Sequence, residues 1–414
     1  MTTTSTRSHR ELLEAAMHSP EGRADPYPFL QELVDRDEQC VLDDGRSFVY
    51  GYRAATVTLR SPDFMKHGEH ASSTPSGLTP DQLATLRRER PDAPGMLSSI
   101  DDPEHARLRR LVSLAFTPRV IEPYLPLIRD TLDELLDTLE RHEPIDLVAT
   151  LNSQIPSQVV GQLIGLPLPD RDMFARLAAR QSLGRDPDAS FDDHLTGARA
   201  RRQMYEYVAD LIAAEGADPG DTPVGRLISL EQQSEKISGP ELVSLVATVY
   251  SAGFGTTVRM LGNGLVALLR HPDQARFLRE HPDLARQATD EILRYDTPVA
   301  TVAYFAGEGA TVGDEALEPG SLCTVILGAA NHDPRMFDEP GIFDVTRPRE
   351  EAPLSFGFGT HFCIGSALAK LEGDVVFGEM VRRFPRMELA AEPTRQVSFR
   401  TRAFTEIPVI LEPT

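Results

Sequence analysis

Ser355–Lys370 reads SFGFGTHFCIGSALAK and holds one of only three cysteines in 414 residues. A reactive sulfur stands here among three glycines and a histidine, just ahead of a helix. After Cys363 the apolar residues Ile364, Leu368, Leu371 and Val375 recur at steps of four, three and four. That spacing marks one face of an amphipathic helix opening beside the sulfur. A helix N-terminus and free backbone N–H donors favour negative charge and depress a cysteine pKa. Gly357, Gly359 and Gly365 remove side chains where the backbone must turn tightly or let something flat and bulky approach. A lone cysteine is most often a small buried hydrophobe. This surrounding pattern instead suits a thiolate held under a large planar cofactor.

Composition narrows the field. A net charge of -21 makes nucleic acid an unsuitable partner, because a phosphate backbone needs a basic footprint. Cys40, Cys323 and Cys363 are too few and too scattered for a disulfide framework, which points to a reducing cytoplasm. The N-terminal MTTTSTRSHRELLEAAMHSPEG has no apolar core of signal or anchor type, so residues 1–20 are expected to be a flexible end of a soluble chain. Residues 242–258, LVSLVATVYSAGFGTTV, carry no charge but many hydroxyls. They read as a long helix through a protein core rather than a membrane span. Helical periodicity recurs at 107–116, 127–142 and 202–215. Residues 69–99, rich in proline and serine, read as a long loop with one short helix. Strand-like pieces are short: 47–52, and two between 300 and 328. The chain is expected to be mainly α with small β-sheets, one compact unit over 1–414.

Within the cysteine loop, FGFGTHFCIG resembles the haem-binding loop of the cytochromes P450, F-G-x-G-x-H-x-C-x-G, with every fixed position present. The resemblance implies that the thiolate of Cys363 is the axial ligand of a haem b iron. It further implies that Phe356, Gly357 and Gly365 frame the cofactor and that His361 contacts a propionate. Other landmarks follow in the family's order. Glu291 and Arg294, in DEILRYDTP, resemble the family's structural ion pair, with Arg347 as its third member. DDPEHARLRRLVSLAFTP resembles the segment whose histidine and arginine hold propionates, here His105 and Arg109. NHDPRMFDEPGIFD, with His332 where an arginine is common, DPYPFL at 25–30 and IPSQVVGQLIGLP at 155–167 also match. The resemblance implies a mainly helical fold with haem between a long central helix and the cysteine loop.

Two positions depart from the family pattern. In Ser251–Thr257, SAGFGTT, Thr256 falls on the oxygen-activating threonine with Thr257 beside it, but Gly255 replaces the usual acid. Proton delivery then needs ordered water, another side chain or a group on the substrate. Tyr304 stands where a propionate-binding arginine is usual, and a phenol cannot form a bidentate charged pair.

The resemblance places the substrate pocket at Met96, Leu97, Val246, Tyr250, Val299, Ala300, Val302 and Phe404, a partly apolar lining without fixed charge. His105, Arg107, Arg109, Arg110 and Arg119 form a basic cluster fit to receive an acidic ferredoxin, itself served by a reductase. Arg199, Arg201 and Arg202 read as a solvated helix face, or as a dock for an acidic carrier protein bearing a tethered substrate. The activity implied is monooxygenation of a small molecule in specialised metabolism, with no membrane partner. Gly255 keeps open peroxide-driven oxidation, oxidative coupling, ring formation or nitration. A non-catalytic recruitment module or haem sensor fits poorly with an intact cysteine loop.

Overall fold

The computed structural model describes residues 7–412 apart from 67–76, 92, 140–142, 185–188, 216–221, 235–236 and 349. Its axis is a helix of 32 residues, Gly239–Arg270, which contains the whole charge-free stretch. Ser238 and Glu241 cap its start reciprocally and Pro240 occupies its first turn, where a missing N–H costs nothing. Among the described residues no single helix is long and apolar enough to cross a membrane.

The helix that follows the cysteine, Ser366–Arg383, packs on this axis. The approach is close because Gly264 lacks a side chain: a Cβ there would stand 2.4 Å from the Phe377 ring. Helix Ala285–Tyr295 closes on the other side, where a Cβ on Gly373 would meet Thr289 at 2.7 Å. These contacts, with Leu261, Leu265, Ile292, Val376 and Met380, lie in the largest apolar cluster.

A five-stranded sheet flanks the helices, in the order Gln39–Val41, Ser47–Val49, Leu322–Ile326, Thr301–Ala306, Phe64–Met65. The two pieces between 300 and 328 pair antiparallel, with Tyr304 opposite Cys323. The piece at 47–52 divides into a strand and the start of helix Tyr52–Arg60. The three periodic segments lie in helices Glu104–Ala115, Leu125–Thr138 and Phe191–Glu215, while residues 140–142 fall outside the described residues.

The short helix expected within 69–99 is Pro80–Glu89, capped by Thr79, while 67–76 and 92 lie outside the described residues. Two expectations change. The N-terminal end is not loose from Ser8 onward: Ser8 and Glu11 form a capping box on helix His9–His18, which buries Leu12, Leu13 and Ala16. Arg199 and Arg202 are not a merely solvated face. Both pair with Glu89, at 3.1 and 2.7 Å, and so clamp helix Pro80–Glu89 to helix Phe191–Glu215, while Arg201 donates to the Tyr205 hydroxyl at 3.1 Å.

Candidate functional site

The cysteine loop is built by two left-handed glycines, Gly357 (φ +69°) and Gly359 (φ +68°). Gly359 also lets the loop rest on the preceding helix, since a Cβ would come within 2.5 Å of the Leu59 carbonyl. Cys363 N–H donates to the Phe356 carbonyl at 2.9 Å and closes the turn. The backbone N–H groups of Gly365 and Ser366 donate to the sulfur at the start of helix Ser366–Arg383. Burial pushes the thiol up; those two donors and the Arg109 guanidinium pull it down. The cysteine is nevertheless exposed, on the loop that leads into helix Ser366–Arg383.

Behind the loop, Glu291 and Arg294 form a fully buried pair at 2.8 Å, which Arg347 joins at 3.1 Å. Arg294 Nη1 donates to the carbonyls of Asn331 (3.0 Å) and Pro340 (2.7 Å). The Asn331 side chain donates to Ser355 Oγ at 2.9 Å and accepts from Leu354 N–H at 2.7 Å. The ion pair is thereby tied to the first residue of the cysteine loop. His332, beside it, meets the Gly328 carbonyl through Nδ1 (2.9 Å) and is held neutral, its pKa pushed down to about 3 chiefly by burial.

Positive groups gather beside the cysteine loop. His105 is buried, its ring 4.2 Å from that of His361. Neither of its ring nitrogens makes a hydrogen bond, Asp102 lying 3.4 Å from Nδ1. Arg109 donates to the Phe362 carbonyl. Burial, then His105 and Lys66, lower the His361 pKa to about 4. Tyr304 is buried and faces His361 at 6.3 Å, so the arginine of the family pattern is absent at that point. Lys66 stands in its place: its ammonium lies 3.2 Å from the Tyr304 ring centre and donates to the Ala303 carbonyl at 3.0 Å. Burial and then Arg400 lower its pKa to about 7. Unsatisfied donors, like charges and a glycine-framed sulfur at one opening fit an iron porphyrin with two acidic arms.

On the central helix, Ala252 is exposed in mid-helix and Thr248, Gly255 and Thr256 are half-buried, so this face borders the opening. Thr256 Oγ1 donates back to the Ala252 carbonyl. Four expected pocket residues are buried in packing contacts. Val246 and Tyr250 are fully buried, and Tyr250 meets Phe174 edge-on at 4.7 Å. At about 100° per residue, Tyr250 sits about 200° from Ala252, on the opposite face. Phe404 is buried under the Arg395 guanidinium at 4.1 Å, and Ala300 is buried. Met96, Leu97, Val299 and Val302 remain half-buried. Thr257 is also buried, turned from the opening to donate to Glu372.

Glu372 was not singled out from the sequence. It is buried on the cysteine-side helix, burial raises its pKa to about 8, and its Oε1 has no partner. Its signal was available, since it lies four residues after Leu368 on the apolar face. Lys66 and Arg259 had no such signal, being single basic residues without a motif. Arg259 brings a charge close to Gly255: its Nη1 lies 3.2 Å from where a Gly255 Cβ would stand. The expected basic cluster is smaller than its sequence. His105 points inward, Arg107 pairs with Glu241 and Arg109 with the loop, leaving Arg110 and Arg119 exposed.

The family model for Cytochrome P450 matches residues 224–405. Cytochrome P450 CYP107DY1 of Priestia megaterium is 33% identical, over 95% of this chain and 97% of its own. The 6-deoxyerythronolide B hydroxylase of Saccharopolyspora erythraea is 35% identical, over 76% of this chain and 78% of its own. Among solved structures, P450BioI in complex with hexadec-9Z-enoic acid ligated acyl carrier protein is similar with a TM-score of 0.84 at 30% identity, covering 95% of this chain and 100% of that one.

Proposed function

The chain belongs to the cytochrome P450 family of haem–thiolate monooxygenases, and from that premise we propose that it hydroxylates or epoxidises a small molecule of specialised metabolism. The observation that carries this reading is Cys363, exposed on its loop, with its sulfur capped by the N–H groups of Gly365 and Ser366. Haem b bound there would supply the redox iron that activates dioxygen.

The chain's own residues divide the remaining work. Burial alone disfavours a thiolate at Cys363, and the N–H pair and the helix terminus offer the donors that offset it. Phe356, Gly357 and Gly365 frame the flat group, while His105, Arg109, His361 and Lys66 supply donors for its acidic arms. Thr256 presents a hydroxyl at the opening. Glu372, protonated at neutral pH and one residue removed through Thr257, is a resident proton store where Gly255 offers none. The reaction needs electrons from a partner. Arg110 and Arg119, both exposed, are the surface for a ferredoxin with its reductase. A carrier-tethered substrate, like the acyl carrier protein bound to P450BioI, would find Arg199 and Arg202 already engaged by Glu89.

The test is the CO difference spectrum of the reduced protein, followed by turnover with ferredoxin, reductase and O2. Wild type is expected to show the thiolate-type spectrum and Cys363→His to lose it. A thiolate-type spectrum surviving in that variant would remove Cys363 from its role. Gly255 favours one second reading, peroxide-driven or coupling chemistry. Turnover with peroxide alone, and none with ferredoxin and O2, would select it.

A further inference from the structure

Position 255 of the central helix carries no side chain, and the residue one turn later fills the space. Nη1 of Arg259 lies 3.2 Å from the Cβ that Gly255 lacks. The guanidinium therefore leans back along the helix, as helical side chains do, to a point one residue from Thr256. Its Nε is buried and makes no hydrogen bond. Among the described residues no carboxylate acts on it. Burial, and then the like charge of Arg400, disfavour its charged form. The backbone of Arg400 is fixed at the rim, since its carbonyl accepts from Ala300 N–H (2.9 Å) and Thr301 N–H (3.3 Å). Its neighbour Thr401 bridges to Val299, on the half-buried rim of the opening. A guanidinium whose Nε is buried without a hydrogen bond, and on which a second cation acts, favours binding an anion.

We propose that Arg259, opposed by Arg400, anchors the carboxylate of an acidic small-molecule substrate above Gly255. A carboxylate suits the place for two reasons. A planar guanidinium grips two oxygens at once. The bound group also restores, from the substrate, an acid at the position beside Thr256 where the chain has none. Glycine at 255 is then part of the recognition, because a Cβ there would press on the guanidinium at 3.2 Å. Lys66, on which Arg400 also acts, is seated on the Tyr304 ring and donates to the Ala303 carbonyl. The inference rests on the haem–thiolate reading and adds the substrate class to it.

The test uses the haem-loaded protein and probes that report through the iron. These are ω-(imidazol-1-yl)alkanoic acids of increasing chain length and their matched primary amides, titrated by the Soret shift of nitrogen ligation. At the best length wild type is expected to bind the acid about tenfold or more tighter than the amide. Arg259→Gln should reduce that preference to near unity with amide affinity unchanged, and Arg259→Lys should keep part of it. Gly255→Asp provides an internal partner for Arg259 and should also abolish the preference, independently of whether the glutamine variant folds. Equal binding of acid and amide at every length, or a preference that survives in Arg259→Gln, overturns the proposal. No Soret shift with any imidazole would instead overturn the haem–thiolate reading beneath it.

Discussion

Lys66 illustrates how single residues carry this site. Nothing local to it signals a role, yet its ammonium occupies the corner that Tyr304 leaves without a cation. If it holds an acidic arm of the haem, Lys66→Met should speed haem transfer to a scavenging apoglobin by about tenfold, the scale of one charge-assisted hydrogen bond. Lys66→Arg should not. Equal transfer rates for all three proteins would assign the arm elsewhere. Glu372 makes a second prediction through pH. Its folded-state pKa of about 8 lies above the ordinary 4.5, so folding retains a proton that the unfolded chain releases. Stability should therefore fall as pH rises between those values, by about 1.4 kcal/mol per unit at most. Glu372→Gln removes that loss, and its Tm advantage over wild type should widen from pH 5 to pH 8. A constant difference across that range would mean that Glu372 does not stay protonated in the folded protein.

At the scale of elements, the site depends on two helices that touch at one end and part at the other. The contact is set by Gly264 against Phe377, and beyond Thr257 and Glu372 stand the exposed Ala252 and Cys363. Gly264→Ala places a methyl 2.4 Å from the Phe377 ring and 2.8 Å from Ile292. The expected cost is about 1–3 kcal/mol, seen as a lower Tm. Gly239→Ala, on the same helix with nothing within 4 Å, serves as control and should change stability by less than about 0.5 kcal/mol. The central helix was legible because 242–258 is both apolar and charge-free. Which of its faces borders the opening was not, and Val246 and Tyr250, expected in the pocket, are instead buried in packing contacts. Both faces are apolar, so periodicity alone does not rank them. The exposure of Ala252 does.

At the scale of the molecule, a chain of net charge -21 keeps Arg110 and Arg119 exposed. Replacing both by glutamate should slow ferredoxin-supported reduction several-fold at low salt and less at high salt, while the CO spectrum stays unchanged. An unchanged rate at low salt would place the docking surface elsewhere. The other arginine run shows why surface function is hard to read from sequence. Arg199 and Arg202 looked available, but the fold brings Glu89 to them from a distant segment.

The family, the mainly helical class, the thiol loop and the Glu291–Arg294 pair were readable from the chain alone, because each is written in short runs of residues whose spacing follows local geometry. The glycine turns, the helix after Cys363 and the Glu291–Arg294 pair need no distant partner to be recognised. Only the tertiary structure decided that Lys66 meets Tyr304, that Glu372 meets Thr257 and that Arg259 meets no acid among the described residues. Those are relations between segments far apart in the chain, or between one side chain and an enclosed space. Charge and burial act there through distances that sequence order does not encode.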